Sequence, residues 1–394
     1  MTRSSLQVRA MVRARIAVFG LFASFGIVLS TWAVHLPTLK QAVGMSNATT
    51  GTVLLVLGIG SLVGMQISGA VVDRIGSERV ATIGGAALAA SIMLPLNATT
   101  LVQAVAGAFA LGVAAGCSDV GMNAAAVSVE RDHGRPIMGS FHGVFSIGTV
   151  VGSLLGAAGF ALRLGSLTMT AAITAICLIL IGSAFVLLRH RQAGAGHEQE
   201  VPPPVPNEAG GRRVRVVLLG TLAFLLLLSE GSAMDWSSLH AQQHLGASSS
   251  MAALAAGSFM VAMTVSRFLA DRVAAVTGPV WMLRGGAVLA MGGILTVIVA
   301  PALPVALVGW AIFGTGVAGG LPQVFTAAGN LGGTASGRTL SRVVGMGYVA
   351  IMGGPALIGW IVELVSWTGA FLVPFCAMLV CSLAAPVVAR SAER

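Results

Sequence analysis

Few side chains in this sequence combine chemical reactivity with an apolar setting, and those few stand far apart. Asp119 occurs in Gly116-Cys-Ser-Asp119-Val-Gly-Met-Asn123, and Glu230 in Ser229-Glu230-Gly231-Ser-Ala-Met-Asp235-Trp236, each inside a run of apolar residues. A charge held in hydrocarbon costs about 2.5–3.5 kcal/mol on insertion scales, so such a group turns toward a cavity or a partner. Asp119 or Glu230 could bind a proton or a polar substrate; either could instead simply hydrogen-bond a neighbouring helix. Asn123 follows Asp119 by four residues, shares its helical face and could donate to a substrate hydroxyl. Asp235 is nearer the end of its run, as an interface or gate residue would be, and Gln323 is a further polar candidate in a late apolar run.

Other chemistries lack their residues. The sequence has no H-E-x-x-H, no C-x-x-C and no G-x-S-x-G element, so neither a metal centre nor a nucleophilic triad is expected. No G-x-x-x-x-G-K-[ST] loop is present, so ATP is not the expected energy source, and no cofactor is implied. An integral membrane enzyme would need a reactive cluster at a membrane face, and none is found. Cys117, Cys177, Cys376 and Cys381 lie in apolar runs without metal-ligand spacing and read as packing residues. His35 and His142 are lone histidines; His142 could line a vestibule or bridge helices. Arg267 precedes Asp271 by four residues, which suggests a local i to i+4 pair with snorkelling.

The elements that must position these groups are membrane spans. Hydrophobic residues make up 56% of the 394, charged ones 9%, and the mean hydropathy is +0.91. Apolar runs at about 15–36, 50–72, 80–98, 101–128, 139–162, 167–188, 214–236, 250–270, 281–300, 303–328, 340–363 and 368–389 each suffice for a span of about 20 residues. The expected class is therefore all-α integral membrane, with twelve helices in two bundles of six. A net charge of +9 is compatible with nucleic-acid binding, but the arginines sit in short clusters between apolar runs rather than in a stripe. Their alternation places both termini on the cytoplasmic side, with only Lys40 and Arg163 outside. The polar, Pro-rich text of 190–213 reads as a cytoplasmic linker between bundles at 15–189 and 214–389, with tails at 1–14 and 390–394.

The two halves resemble each other weakly. Trp32, Gly44-Met-Ser46 and Asp73-Arg74 in the first half have Trp236, Gly246-Ala-Ser248 and Asp271-Arg272 in the second; Ser46 and Ser248 would cap the following helices. Gly112-x-x-x-Gly116-x-x-Asp119 is matched with Gly316-x-x-x-Gly320-x-x-Gln323. Such repeats are expected of transporters.

Between the second and third runs stands Gly69-Ala-Val-Val-Asp73-Arg74-Ile-Gly76-Ser-Glu78-Arg79. Gly69 permits close helix contact, Asp73 can face the positive end of a helix dipole, Gly76 turns the chain, and Arg74 and Arg79 stay on the cytoplasmic side. The pattern G-x-x-x-D-R-x-G-x-x-R resembles the signature loop of the major facilitator superfamily. Asp119-Val-Gly-Met-Asn123, Gly134-Arg135-Pro136 and Ser229 to Trp236 resemble the MosC-like branch of bacterial facilitators, related to sugar permeases such as the fucose transporter.

The resemblance implies alternating access between two pseudo-symmetric six-helix bundles, a small polar solute, sugar-like or cyclitol-like, and protons as partners, with a monomeric chain in a bacterial inner membrane. Glu130-Arg131 could join Asp73 or Arg79 in a charge cluster like the superfamily's cytoplasmic gate. Drug–proton antiporters of the superfamily carry a Gly-Pro element in the fifth span. Here Gly148-x-x-x-Gly152-x-x-x-Gly156 lacks proline, and Gly354-Pro355 is in the eleventh run. Uptake of a solute and proton-driven export of a drug or metabolite therefore both stand, beside a sensor or scaffold that keeps the fold without transport.

Overall fold

A computed structural model describes residues 3–45, 47–194, 209–331 and 336–389. Among these residues the chain is helical throughout, without strands. The order is α1 (Arg3–Val43), α2 (Asn47–Ile75), α3 (Ser77–Ser91), α4 (Met93–Leu96), α5 (Leu101–His133), α6 (Met138–Ala161) and α7 (Ser166–Gly194). Then follow α8 (Ala209–Gln243), α9 (Ser249–Ile298), α10 (Leu303–Val317), α11 (Gly320–Leu331), α12 (Ser336–Leu364) and α13 (Trp367–Ala384). A 3-10 turn, Ala385–Val388, ends the described chain.

The helix ends follow local chemistry. Thr100 accepts from the Gln103 amide at the start of α5, and Gly134 ends that helix in the left-handed region. Ser366 accepts from Gly369 N at 3.0 Å to open α13. Ser248 caps α9 as expected, through a long 3.5 Å bond from Met251 N; the matching Ser46 lies outside the described residues. At about 1.5 Å per residue, the 50 residues of α9 far exceed a bilayer. They are two helices joined at Gly278, which has φ 79° and precedes Pro279. Proline removes a helical N–H and pushes the preceding residue out of the α region.

Among the described residues ten segments are long and apolar enough to cross a membrane, one of them comprising both arms of α9. The apolar run at 340–363 belongs to α12, which is 29 residues long. Helix extends beyond the expected run boundaries: α1 starts at Arg3, within the expected tail, α7 continues to Gly194 and α8 begins at Ala209. The rest of the expected linker, 195–208, and the tail from 390 lie outside the described residues.

The chain divides into two compact units. The first comprises Met1–Gly134, Val144–Pro206 and Gly329–Arg342; the second Arg135–Gly143, Asn207–Ala328 and Val343–Arg394. In the first, α5 packs on α2 and α3, and α1 on α7. In the second, α9 packs on α10, α13 and α8. Contact is made through missing side chains. A Cβ on Gly116 would strike the backbone of Ser61 and Met65, and one on Gly314 would strike that of Phe259 and Met263. These are the same contact in two copies, since 314 stands to 259 and 263 as 116 stands to 61 and 65.

That contact corrects the expected register of the repeat. Gly116 corresponds to Gly314 rather than to Gly320, so the counterpart of Asp119 is Val317, and Gln323 is not its equivalent. Sequence spacing alone was free to slide the two glycine patterns. Backbone-to-backbone packing is not.

Candidate functional site

In the first unit the site is one turn of α5. Asn123 is fully buried and donates through Nδ2 to the Asp119 carbonyl oxygen at 2.9 Å and to Asp119 Oδ1 at 3.0 Å. A backbone carbonyl can only accept, so this bond fixes which amide atom faces Asp119. Asn123 Oδ1 is buried and has no hydrogen-bond partner among the described residues. The expectation that Asn123 donates to a substrate is thereby corrected: its donors serve Asp119, and what it offers is an acceptor. Asp119 itself is only 5% exposed.

In the second unit Arg267 reaches Glu230 rather than Asp271. Its Nη2 donates to both carboxylate oxygens at 3.1 Å, linking the first arm of α9 to α8. Arg267 is 4% exposed, so it does not snorkel, and it forms an ion pair with Glu230, whose side chain is 18% exposed. The reason is that Asp271 is already engaged. Its Oδ1 accepts from Gly139 N and its Oδ2 from Ser140 N, both at 2.7 Å, at the first turn of α6. His142, one turn further along α6, is buried with its ring 6.0 Å from that of Phe325. Gln323 is buried on α11. Asp235 is exposed, and beside it Trp236 meets Trp367 edge-on at 6.2 Å.

The signature loop has the same construction in the first unit. Asp73 Oδ1 accepts from Gly337 N at 2.9 Å at the start of α12, and its Oδ2 lies 3.6 Å from Arg338. Gly69 lets α12 approach: a Cβ there would collide with Ser341. Gly76 holds φ 89° between α2 and α3, and Arg74 and Arg79 are exposed. Arg131 does not join Asp73 or Arg79; it donates from Nε and Nη2 to Asn330 Oδ1 at 3.2 and 3.0 Å. Glu130 is buried in the last turns of α5.

Two acidic residues thus hold two helix starts, Asp73 that of α12 and Asp271 that of α6. A carboxylate at a helix N-terminus gains from both the dipole and charge-assisted bonds. The second copy shows what the sequence reading missed. Arg267 precedes Asp271 by four residues, as Gly69 precedes Asp73. A charged residue at a position where the first copy has glycine was the available signal that Arg267 does something other than pack.

The sequence profile of the Major Facilitator Superfamily matches residues 16–230, more than half of the chain. The chain belongs to the major facilitator superfamily. An uncharacterized MFS-type transporter of Yersinia pestis is 32% identical to this facilitator over 346 residues, 88% of each chain. The membrane protein MosC of Rhizobium meliloti is 27% identical over 357 residues, 88% of this chain and 83% of that one. Among solved structures, the Escherichia coli fucose:proton symporter FucP superposes with a TM-score of 0.75 at 13% identity, covering 95% of this chain and 98% of that one. The proton:xylose symporter XylE gives a TM-score of 0.71 at 15% identity, over 97% and 95%. The facilitator is a multi-pass membrane transporter with the superfamily's all-helical fold.

Proposed function

We propose that the facilitator is a proton-coupled secondary transporter of a small polar solute, sugar-like or cyclitol-like. In this reading it works by alternating access through twelve spans in two six-helix bundles, 15–189 and 214–389. It sits as a monomer in a bacterial inner membrane with both termini in the cytoplasm. The observation that carries the coupling is the ion pair between buried Arg267 and part-buried Glu230. A proton and Arg267 compete for the same carboxylate: protonation of Glu230 removes the attraction that holds the guanidinium, and release of the proton restores it. One carboxyl group can thus convert proton occupancy into movement of a charged side chain. A buried pair broken on one side alone is costly, by about 3–5 kcal/mol, so the two changes are linked.

Asp119 and Asn123 supply acceptors, suited to the hydroxyl groups of a sugar or cyclitol. Asp73 and Asp271 act as latches on α12 and α6, and Glu130, Arg131, Arg74 and Arg79 complete the gate region. FucP is a fucose:proton symporter and XylE a proton:xylose symporter, and their likeness in fold favours the same solute class here.

The test is flux into proteoliposomes with and without an imposed pH gradient, screening sugars, inositols and drug cations. Glu230→Gln should abolish gradient-driven accumulation while leaving downhill exchange of the same solute. Asp119→Asn should raise the KM for the solute about tenfold with gradient dependence retained. Gradient-dependent accumulation that survives Glu230→Gln would refute the coupling role, and the sign of the gradient that drives flux separates uptake from export.

A further inference from the structure

On the first unit, α2, α3 and α5 leave an open apolar groove of about 510 Å3, within the size range of ligand sites. Its walls include Ile67 and Ile75 of α2, Ile83 and Ala87 of α3, and Phe109 of α5. Ile67, Ile75, Ile83 and Phe109 are all exposed large apolar side chains. Ile67, Val71 and Ile75 follow one another at four-residue spacing along one face of α2. Gly69, which meets the start of α12, falls on the opposite face at about 100° per residue, and Val72, which meets it too, about a quarter turn from the stripe. The groove therefore turns away from the latch.

Along α3 it runs from Val80 to Ser91, about 16 Å at the helical rise. That is roughly half of the ~30 Å hydrocarbon core, the depth of one leaflet. At the end nearer the α2–α3 turn stand two exposed arginines. Arg74 lies three residues after Val71 on the groove face, and Arg79 four residues before Ile83 at its edge. The neighbouring acids are directed elsewhere: Asp73 binds Gly337 and Arg338, and Glu78 lies about half a turn away from the Val80 stripe on α3.

We infer that this groove binds an anionic phospholipid, with one acyl chain along α3 and the phosphate between Arg74 and Arg79. An apolar channel one leaflet deep fits a chain, and two cations at its mouth select the charge of the headgroup. Each arginine near an anionic headgroup is expected to contribute about a fivefold preference.

The experiment is native mass spectrometry of the full-length protein titrated with phosphatidylglycerol and phosphatidylcholine of identical chains. Wild type should retain phosphatidylglycerol more than tenfold better. Arg74→Gln with Arg79→Gln should bring it to the phosphatidylcholine level, whereas Arg74→Lys with Arg79→Lys should preserve the preference and show that the fold tolerates change there. Ala87→Phe should weaken both lipids by filling the groove. Equal retention by wild type, a preference that survives the double glutamine variant, or no effect of Ala87→Phe would overturn the assignment. Displacement of the lipid by an equal concentration of glycerol 3-phosphate would also overturn it, as that would mark a site for a soluble phosphate.

Discussion

Arg267 and Glu230 set the chemistry at the scale of single residues. Each is a charge among apolar helices, and each is tolerable because the other is 3.1 Å away. Removing the cation leaves the carboxylate without compensation, so Arg267→Met should lower stability by about 3 kcal/mol. Thermal unfolding in detergent should show it as a clear drop in midpoint, and Arg267→Met combined with Glu230→Gln should recover much of the loss. A double variant no better than the single one would mean that the two side chains are not energetically coupled. Asp119 and Asn123 present the opposite case, since the bonds between them stay within one helix turn. Among the described residues that pair leaves Asn123 Oδ1 as a buried acceptor without a hydrogen-bond partner, the atom on which the proposed binding of a hydroxylated solute rests.

Between elements, two devices recur in both units, a glycine contact and a helix latch. Gly116 presses on the α2 backbone with no room for a side chain. Gly116→Val should therefore cost about 1–3 kcal/mol through overpacking. Gly182 of α7 meets nothing within 4 Å, so Gly182→Ala should be neutral or stabilising by up to about 1 kcal/mol. Comparing the two variants by thermal unfolding separates contact from helix propensity. The latches differ in strength. Asp271 accepts two short backbone bonds and is buried, whereas Asp73 accepts one, with Arg338 half exposed. Loss of a helix-capping carboxylate costs about 0.5–2 kcal/mol, and an exposed ion pair adds little. Asp271→Ala should accordingly destabilise more than Asp73→Ala, and the reverse order of melting midpoints would count against this reading.

At the scale of the whole chain, the repeat is structural without being chemical. The latches and the glycine contacts obey one register, yet Asp119 has Val317 as its counterpart and Arg267 has Gly69. Each unit therefore brings its own chemistry, an acceptor pair in one and an ion pair in the other. The expected signature is that substitutions in the two units change different transport parameters. Asp119→Asn should act on solute affinity and Glu230→Gln on gradient dependence, both read in the same proteoliposome flux assay. If both variants lost the same parameter to the same degree, the division of labour would be wrong.

Hydropathy is summed along the chain, and so the sequence by itself determined the membrane class, the approximate runs and the superfamily. The signature loop is also recognisable from local order, with Gly69, Asp73 and Gly76 close together in the chain, although the partners of Gly69 and Asp73 are on α12. It likewise singled out Asp119 and Glu230, because a carboxylate in an apolar run is conspicuous wherever it faces. Partner choice was another matter. Arg267 had Asp271 four residues away and took Glu230, 37 residues distant, because the first turn of α6 had already claimed Asp271. Arg131 reached Asn330 across 199 residues for the same kind of reason. Which side chain meets which depends on the azimuth and approach of helices remote in sequence. The register of the two halves was likewise settled only where glycine backbones touch.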